Sequence, residues 1–170
     1  EGQSLEINDI GLFTDGYAIT KFRNRKLDGT PSDSDQPVMV DTDWPMFRLA
    51  DAYLMYAEAV VRGGSGGSRV QALTYVNALR ERAYGSTTGN ITDGQLTLDF
   101  LLDERARELF WEGHRRTDLI RFGVFTGGDY LWPWKGNVQE GAPSAAHRDL
   151  FPIPSAEIGA NPNLEQNPEY

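Results

Sequence analysis

The chain has 170 residues and 19.0 kDa, one domain's worth of sequence and enough to bury a core without disulfide or metal staples. Its 25 acidic residues outnumber 16 basic ones, for a net charge of −9, which argues against nucleic acid or an anionic membrane surface as partner. Cysteine is absent, so disulfides, thiol nucleophiles, Cys-ligated zinc and iron–sulfur clusters are excluded.

Residues 1–45 are rich in Gly, Asp, Ser, Thr and Pro and read as an irregular lead-in. One or two short strands are expected near Tyr17–Phe22, and a turn at Asp28-Gly29. Asp33, Asp35, Asp41 and Asp43 suggest calcium by type, but the order of ligands in an EF-hand loop is missing, and solvated loop acids are the better reading.

A helical core is expected over residues 46–123. The first helix spans about Pro45 to Arg62, with Leu49, Ala50, Tyr53, Leu54, Ala57, Val60 and Val61 on one broad apolar face. Within it lies the longest apolar run, Ala52–Ala57, far short of the ~20 residues that span a bilayer. The second helix runs from Ser68, as N-cap, to Tyr84, and Gly85 ends it. A glycine-rich turn joins the two, which predicts an αα-hairpin. The turn, Gly63-Gly64-Ser65-Gly66-Gly67, matches G-x-S-x-G only formally, because a helix rather than a strand enters it. A third helix is expected from Thr97 or Asp99 to Gly113, and a short fourth over His114–Phe122. The remainder, 124–170, reads as an irregular cap and a proline-rich tail, with one helical turn at Ser155–Ile158 capped by Ser155. The fold class is therefore mainly α, with a helical hairpin plus a third long helix and little strand.

Chemistry is sparse. Ser144, His147 and Asp149 are close in sequence, but nothing frames them as a triad. His114 and His147 lack metal-ligand spacing, and no metal or cofactor is implied. In the third helix Asp103→Arg107 is a favourable pair, whereas Glu104/Glu108 and Glu108/Glu112 are like charges four apart. Those acids need partners, for which Arg115 and Arg121 are candidates. Glu104 and Glu108 could instead be a catalytic carboxylate pair, as glycoside hydrolysis uses; an ion network is the preferred reading. Tyr130, Trp132 and Trp134 form the one binding candidate. Aromatic faces stack on sugar C–H faces and offer roughly 150–250 Å² each, although such a loop can also fold its tryptophans inward.

Three segments resemble the SusD/RagB family: Arg48-Leu49-Ala50-Asp51-Ala52-Tyr53-Leu54-Met55-Tyr56-Ala57-Glu58-Ala59; the run Leu102–Leu109 with Glu112–Arg115 and Asp118–Gly123; and Leu150-Phe151-Pro152-Ile153-Pro154 with Asn161-Pro162 and Gln166-Asn167-Pro168. The resemblance implies a fold of tetratricopeptide-like helix pairs. It also implies a non-catalytic protein, lipid-anchored on the outer face of the outer membrane in Bacteroidetes-type bacteria. Such proteins capture glycans, or peptides in the RagB branch, for a TonB-dependent transporter of SusC type. The match is to the family's C-terminal portion, so a lipidated cysteine and much of the ligand surface are expected outside these residues. Within the motifs Glu104, Arg105, Glu108, Glu112, Arg115, Asp118 and Arg121 are expected to form an architectural ion network.

Overall fold

The computed structural model describes residues 3–19, 21–26, 28–34 and 39–170. The chain divides into two compact units, Glu1–Arg48 and Leu49–Tyr170.

In the first unit the described residues form turns and bends, with isolated bridges Ser4↔Asp15 and Arg25↔Pro31. No strand forms among the described residues at Tyr17–Phe22, of which Thr20 lies outside them. A strand requires a neighbouring ladder for its backbone groups. Here Phe22 adopts a left-handed φ of 58° instead and packs on Trp44 with ring centroids 4.9 Å apart. The turn at Asp28-Gly29 is present: Gly29, at φ 83°, donates to Lys26 O, and Thr30 donates from N and Oγ1 to the Asp28 carboxylate. Those bonds, the hydroxyl one first, hold Asp28 below the usual carboxylate range. Asp33 pairs with Lys26, and Asp41 accepts from Ser34 N. Asp35 lies outside the described residues, which contain no group of acids and histidines arranged to hold a metal.

The second unit holds five α-helices: α1 (Leu49–Val61), α2 (Arg69–Tyr84), α3 (Leu98–Glu108), α4 (Arg115–Arg121) and α5 (Ser155–Ala160). α1 starts at Leu49, four residues later than its pattern suggests. α2 has its expected bounds. Ser68 accepts from Gln71 N at the start, and Gly85 closes the helix at φ 66°, a conformation costly for any side chain. Leu54 and Ala57 of α1, Ala72, Val76 and Leu79 of α2, and Leu101 of α3 make the core, with Ile91 and Leu96 from the connection. Tyr53 and Tyr75 stack across α1 and α2 at 4.1 Å. The connection 86–97 is pinned rather than loose. Asn77 bonds both backbone groups of Ile91, and Arg80 Nε donates to Gly89 O.

α3 ends at Glu108, five residues before Gly113. Trp111 at φ 62° and Gly113 at φ 79° are left-handed, and so the backbone ladder of a helix cannot pass through them. The tail helix is longer than one turn, and Pro154 rather than Ser155 occupies its cap position. No helix among the described residues is long and apolar enough to cross a membrane.

Buried charge joins these helices. Arg105 of α3, 3% exposed, reaches Asp51 of α1 at 2.8 Å and Asp118 of α4 at 2.9 Å. Burial alone would lower its pKa; the pairs with Asp118 and then Asp51 more than offset this and hold the guanidinium above its ordinary value. Arg121 adds Glu58 at 2.7 Å and Asp118 at 3.0 Å, and Arg62 donates to Glu58 at 2.8 Å.

Removing one member of such a buried set strands the others. Arg105→Ala should lower stability by about 3–5 kcal/mol, read as an earlier urea midpoint at unchanged slope. Lys26→Ala, at the exposed pair with Asp33, should cost less than about 1 kcal/mol in the same assay.

Candidate functional site

The acids of α3 find their partners on α2. Glu104 accepts from Arg80 at 2.6 Å, and Glu108 from Arg82 at 2.6 Å. Arg107, matched by spacing to Asp103, pairs with Glu104 at 2.7 Å instead. Arg115 and Arg121 do not serve these acids: Arg121 serves Glu58 and Asp118, and Arg115 turns the other way. Glu112 is buried at the turn after α3. Neither Glu104 nor Glu108 stands free in a cleft with the other, the arrangement that a carboxylate pair needs for hydrolysis.

The two arginines opening α4 reach into segment 124–151. Arg115 donates to Leu102 O at 2.8 Å and to the Tyr130 hydroxyl at 2.6 Å, its guanidinium 5.6 Å from that ring's centre. Arg116 donates to Arg148 O at 2.8 Å and lies against the rings of Phe125 and Phe151, at 5.0 and 3.8 Å. A planar cation satisfies both demands at once, faces on aromatics and edges on carbonyls.

Lys135 holds the segment from within. It is buried, and its Nζ donates to Tyr130 O at 2.9 Å and Gly127 O at 3.2 Å while lying 4.6 Å from the Trp132 ring centre. Backbone bonds between Gly127 and Ser144, and from Ala142 N to Lys135 O, close the loop. Gly141 packs so tightly that a Cβ there would sit 2.6 Å from Trp132 O.

The result is an aromatic wall. Trp132 lies 6.2 Å from Phe125 and 6.1 Å from Tyr130, and all three are half-buried. Phe125 and Trp132 line two open recesses. One, of about 370 Å³, is completed by Arg115, Arg116, Leu119 and Tyr130. The other, of about 580 Å³, is completed by Lys135, Pro143, Ser144, His147 and Arg148, among others. Tyr130 and Trp132 are thus brought together, whereas Trp134, half-buried at φ 67°, lines neither recess. His147 pairs with Glu169 at 2.9 Å and Asp149 accepts from Thr126, so Ser144, His147 and Asp149 make no relay.

Sequence reasoning missed Arg80, Arg82, Arg116 and Lys135. A signal existed for the inward acids Asp51 and Glu58: they are the only charges in α1 and lie seven residues apart, on one face.

The chain is 42% identical over 169 residues to the starch-binding protein SusD of Bacteroides thetaiotaomicron, covering 99% of this chain and 28% of that one. It is 32% identical to a SusD-like protein of Formosa agariphila, over 92% of this chain and 29% of the relative. Among solved structures, the surface glycan-binding protein A of Bacteroides uniformis superposes with a TM-score of 0.57 at 29% identity, over 75% of this chain and 28% of that one. A SusD superfamily protein of Parabacteroides distasonis gives 0.58 at 30% identity, over 77% and 28%. The chain therefore spans less than a third of the length of these relatives. Residues 8–170 match the sequence profile of the SusD family, and the chain belongs to that family.

Proposed function

We propose that the chain is part of a non-catalytic protein that captures glycans at the outer membrane surface, for uptake through a TonB-dependent transporter of SusC type. The observation that carries this reading is the 42% identity, over almost the whole chain, to a starch-binding protein. The surface glycan-binding protein of Bacteroides uniformis supports it independently through its fold. Ion pairing of Glu104 and Glu108 to arginines agrees with binding rather than hydrolysis.

Within the chain, the ligand surface proposed is the wall of Tyr130 and Trp132, with Trp134 at its margin. Trp132 lines two recesses, of about 370 and 580 Å³, with Arg115 and Arg116 in the lining of the first and Lys135 and Arg148 in that of the second. A second reading has an observation of its own: Trp132 is contacted by Phe125, Tyr130 and Lys135, as a ring shaping a docking surface would be. In that reading the chain supports a ligand site, or faces the transporter, without touching glycan.

Calorimetric titration with maltooligosaccharides separates the two. Trp132→Ala and Tyr130→Ala should each weaken binding by about 1.5 kcal/mol, roughly tenfold, with Trp134→Ala weakening it less. Unchanged affinity in all three would leave the docking reading, and heat released only by a peptide mixture would move the ligand class to peptide.

Lys135→Met tests whether the wall is held from beneath. It should cost about 1–3 kcal/mol by leaving the Tyr130 carbonyl unpaired and Gly127 O with Ser144 N alone, and should lower oligosaccharide affinity although Lys135 is buried. A variant with wild-type melting temperature and affinity would remove Lys135 from that role.

A further inference from the structure

Two cations are buried among the described residues, and their surroundings differ. Arg105 meets two carboxylates, Asp51 and Asp118. Lys135, 4% exposed, forms no ion pair among the described residues. Its ammonium donates to Tyr130 O and Gly127 O and lies against the Trp132 ring. Carbonyl dipoles and a ring face hold such a charge in place without neutralising it, and a buried charge without a counter-ion is costly. Two of its three N–H bonds are used in this way, which leaves one donor.

Lys135 lines the recess of about 580 Å³, and so does a second cation, Arg148. Arg148 is exposed, and its guanidinium makes neither an ion pair nor a hydrogen bond among the described residues. Its backbone is anchored nonetheless, donating to Ala145 O and accepting from Arg116. No aspartate or glutamate lines this recess, in a chain whose acidic residues number 25. Asp149 and Glu169 are taken up by Thr126 and His147. The smaller recess has no comparable free charge, because Arg115 and Arg116 already donate to carbonyls and to the Tyr130 hydroxyl.

We propose that the larger recess seats one anionic sugar unit, its ring on Trp132 and its carboxylate or sulfate ester between Lys135 and Arg148. The ligand then supplies the counter-ion that the fold withholds from Lys135. A planar guanidinium fork beside an ammonium is suited to an oxyanion of either kind. The inference rests on the glycan reading and narrows it to acidic glycans.

Oligosaccharide pairs that differ only in charge test this by calorimetric titration of the 170-residue chain. The first pair is oligogalacturonate and its methyl ester, and the second a sulfated galactan oligosaccharide and its desulfated form; maltohexaose is a further neutral ligand. The charged member of at least one pair should bind roughly tenfold tighter than its neutral counterpart at low salt, and the margin should shrink at about 1 M salt. Preference within the first pair assigns a carboxylate, and within the second a sulfate ester. Arg148→Gln should bring the ratio close to one at an unchanged melting temperature, since the side chain is exposed, and Arg148→Lys should keep part of the preference. Equal or weaker binding of the charged member in both pairs overturns the inference, as does a ratio that Arg148→Gln leaves intact; binding of maltohexaose in the same experiments keeps the glycan reading standing. Binding of none of the five ligands overturns both.

Discussion

One arginine between two aspartates governs the helical unit. Arg105 is the point at which α1, α3 and α4 meet, and each contributes a charge that would be costly to bury alone. Such a set adds little net stability compared with well-packed apolar residues; what it contributes is geometry. A leucine core tolerates sliding by part of a turn, whereas a guanidinium at 2.8 and 2.9 Å from two carboxylates does not. Arg121 repeats the device one turn along α4, from Asp118 to Glu58. The register of α4 against α1 is thereby fixed twice.

The aromatic wall inherits that register. α4 is only seven residues long and would not be a stable helix by itself. Held by Asp118 and Arg121, its first turn presents Arg115 and Arg116 to the segment that follows, one to Tyr130 and one to Phe125, Phe151 and the Arg148 carbonyl. That segment has no strand or long helix to organise it. Cationic donors on backbone carbonyls do so instead, with Lys135 at the centre and glycines where the backbone turns or approaches itself. Polar ordering of this kind permits half-exposed aromatic rings to keep fixed orientations.

What could be read from the sequence was what is local. α2 was legible because Ser68 and Gly85 act within a few residues of themselves, and the Asp28-Gly29 turn for the same reason. The mainly helical class and the family motifs were legible too. Partners brought together by folding were not. Spacing assigned Arg107 to Asp103, yet Glu104, held also by Arg80 from a helix 24 positions away, attracts it more strongly. The end of α3 was misread because apolar periodicity continues through Phe110, while Trp111 takes a conformation that no propensity assigns to tryptophan. Tyr130, Trp132 and Trp134 alternate along the chain and so looked equivalent; Trp134, at a left-handed φ, lines neither of the recesses that Trp132 lines.

The inward acids of α1 also have a meaning in time. Asp51 is synthesised well before Arg105, and Glu58, although Arg62 follows it within one turn, is separated from Arg121 by 63 positions. Until Arg105 and Arg121 arrive, an otherwise apolar helix carries two carboxylates on the face it must eventually bury, with only Arg62, one turn on from Glu58, to partner them. This opposes early, indiscriminate collapse of that face onto α2. The local α1–α2 contacts can form quickly, but the committed packing waits for α3 and α4, made later. The same charges that fix the final register thus act earlier as a delay, keeping the nascent hairpin correctable until α4 exists to complete it.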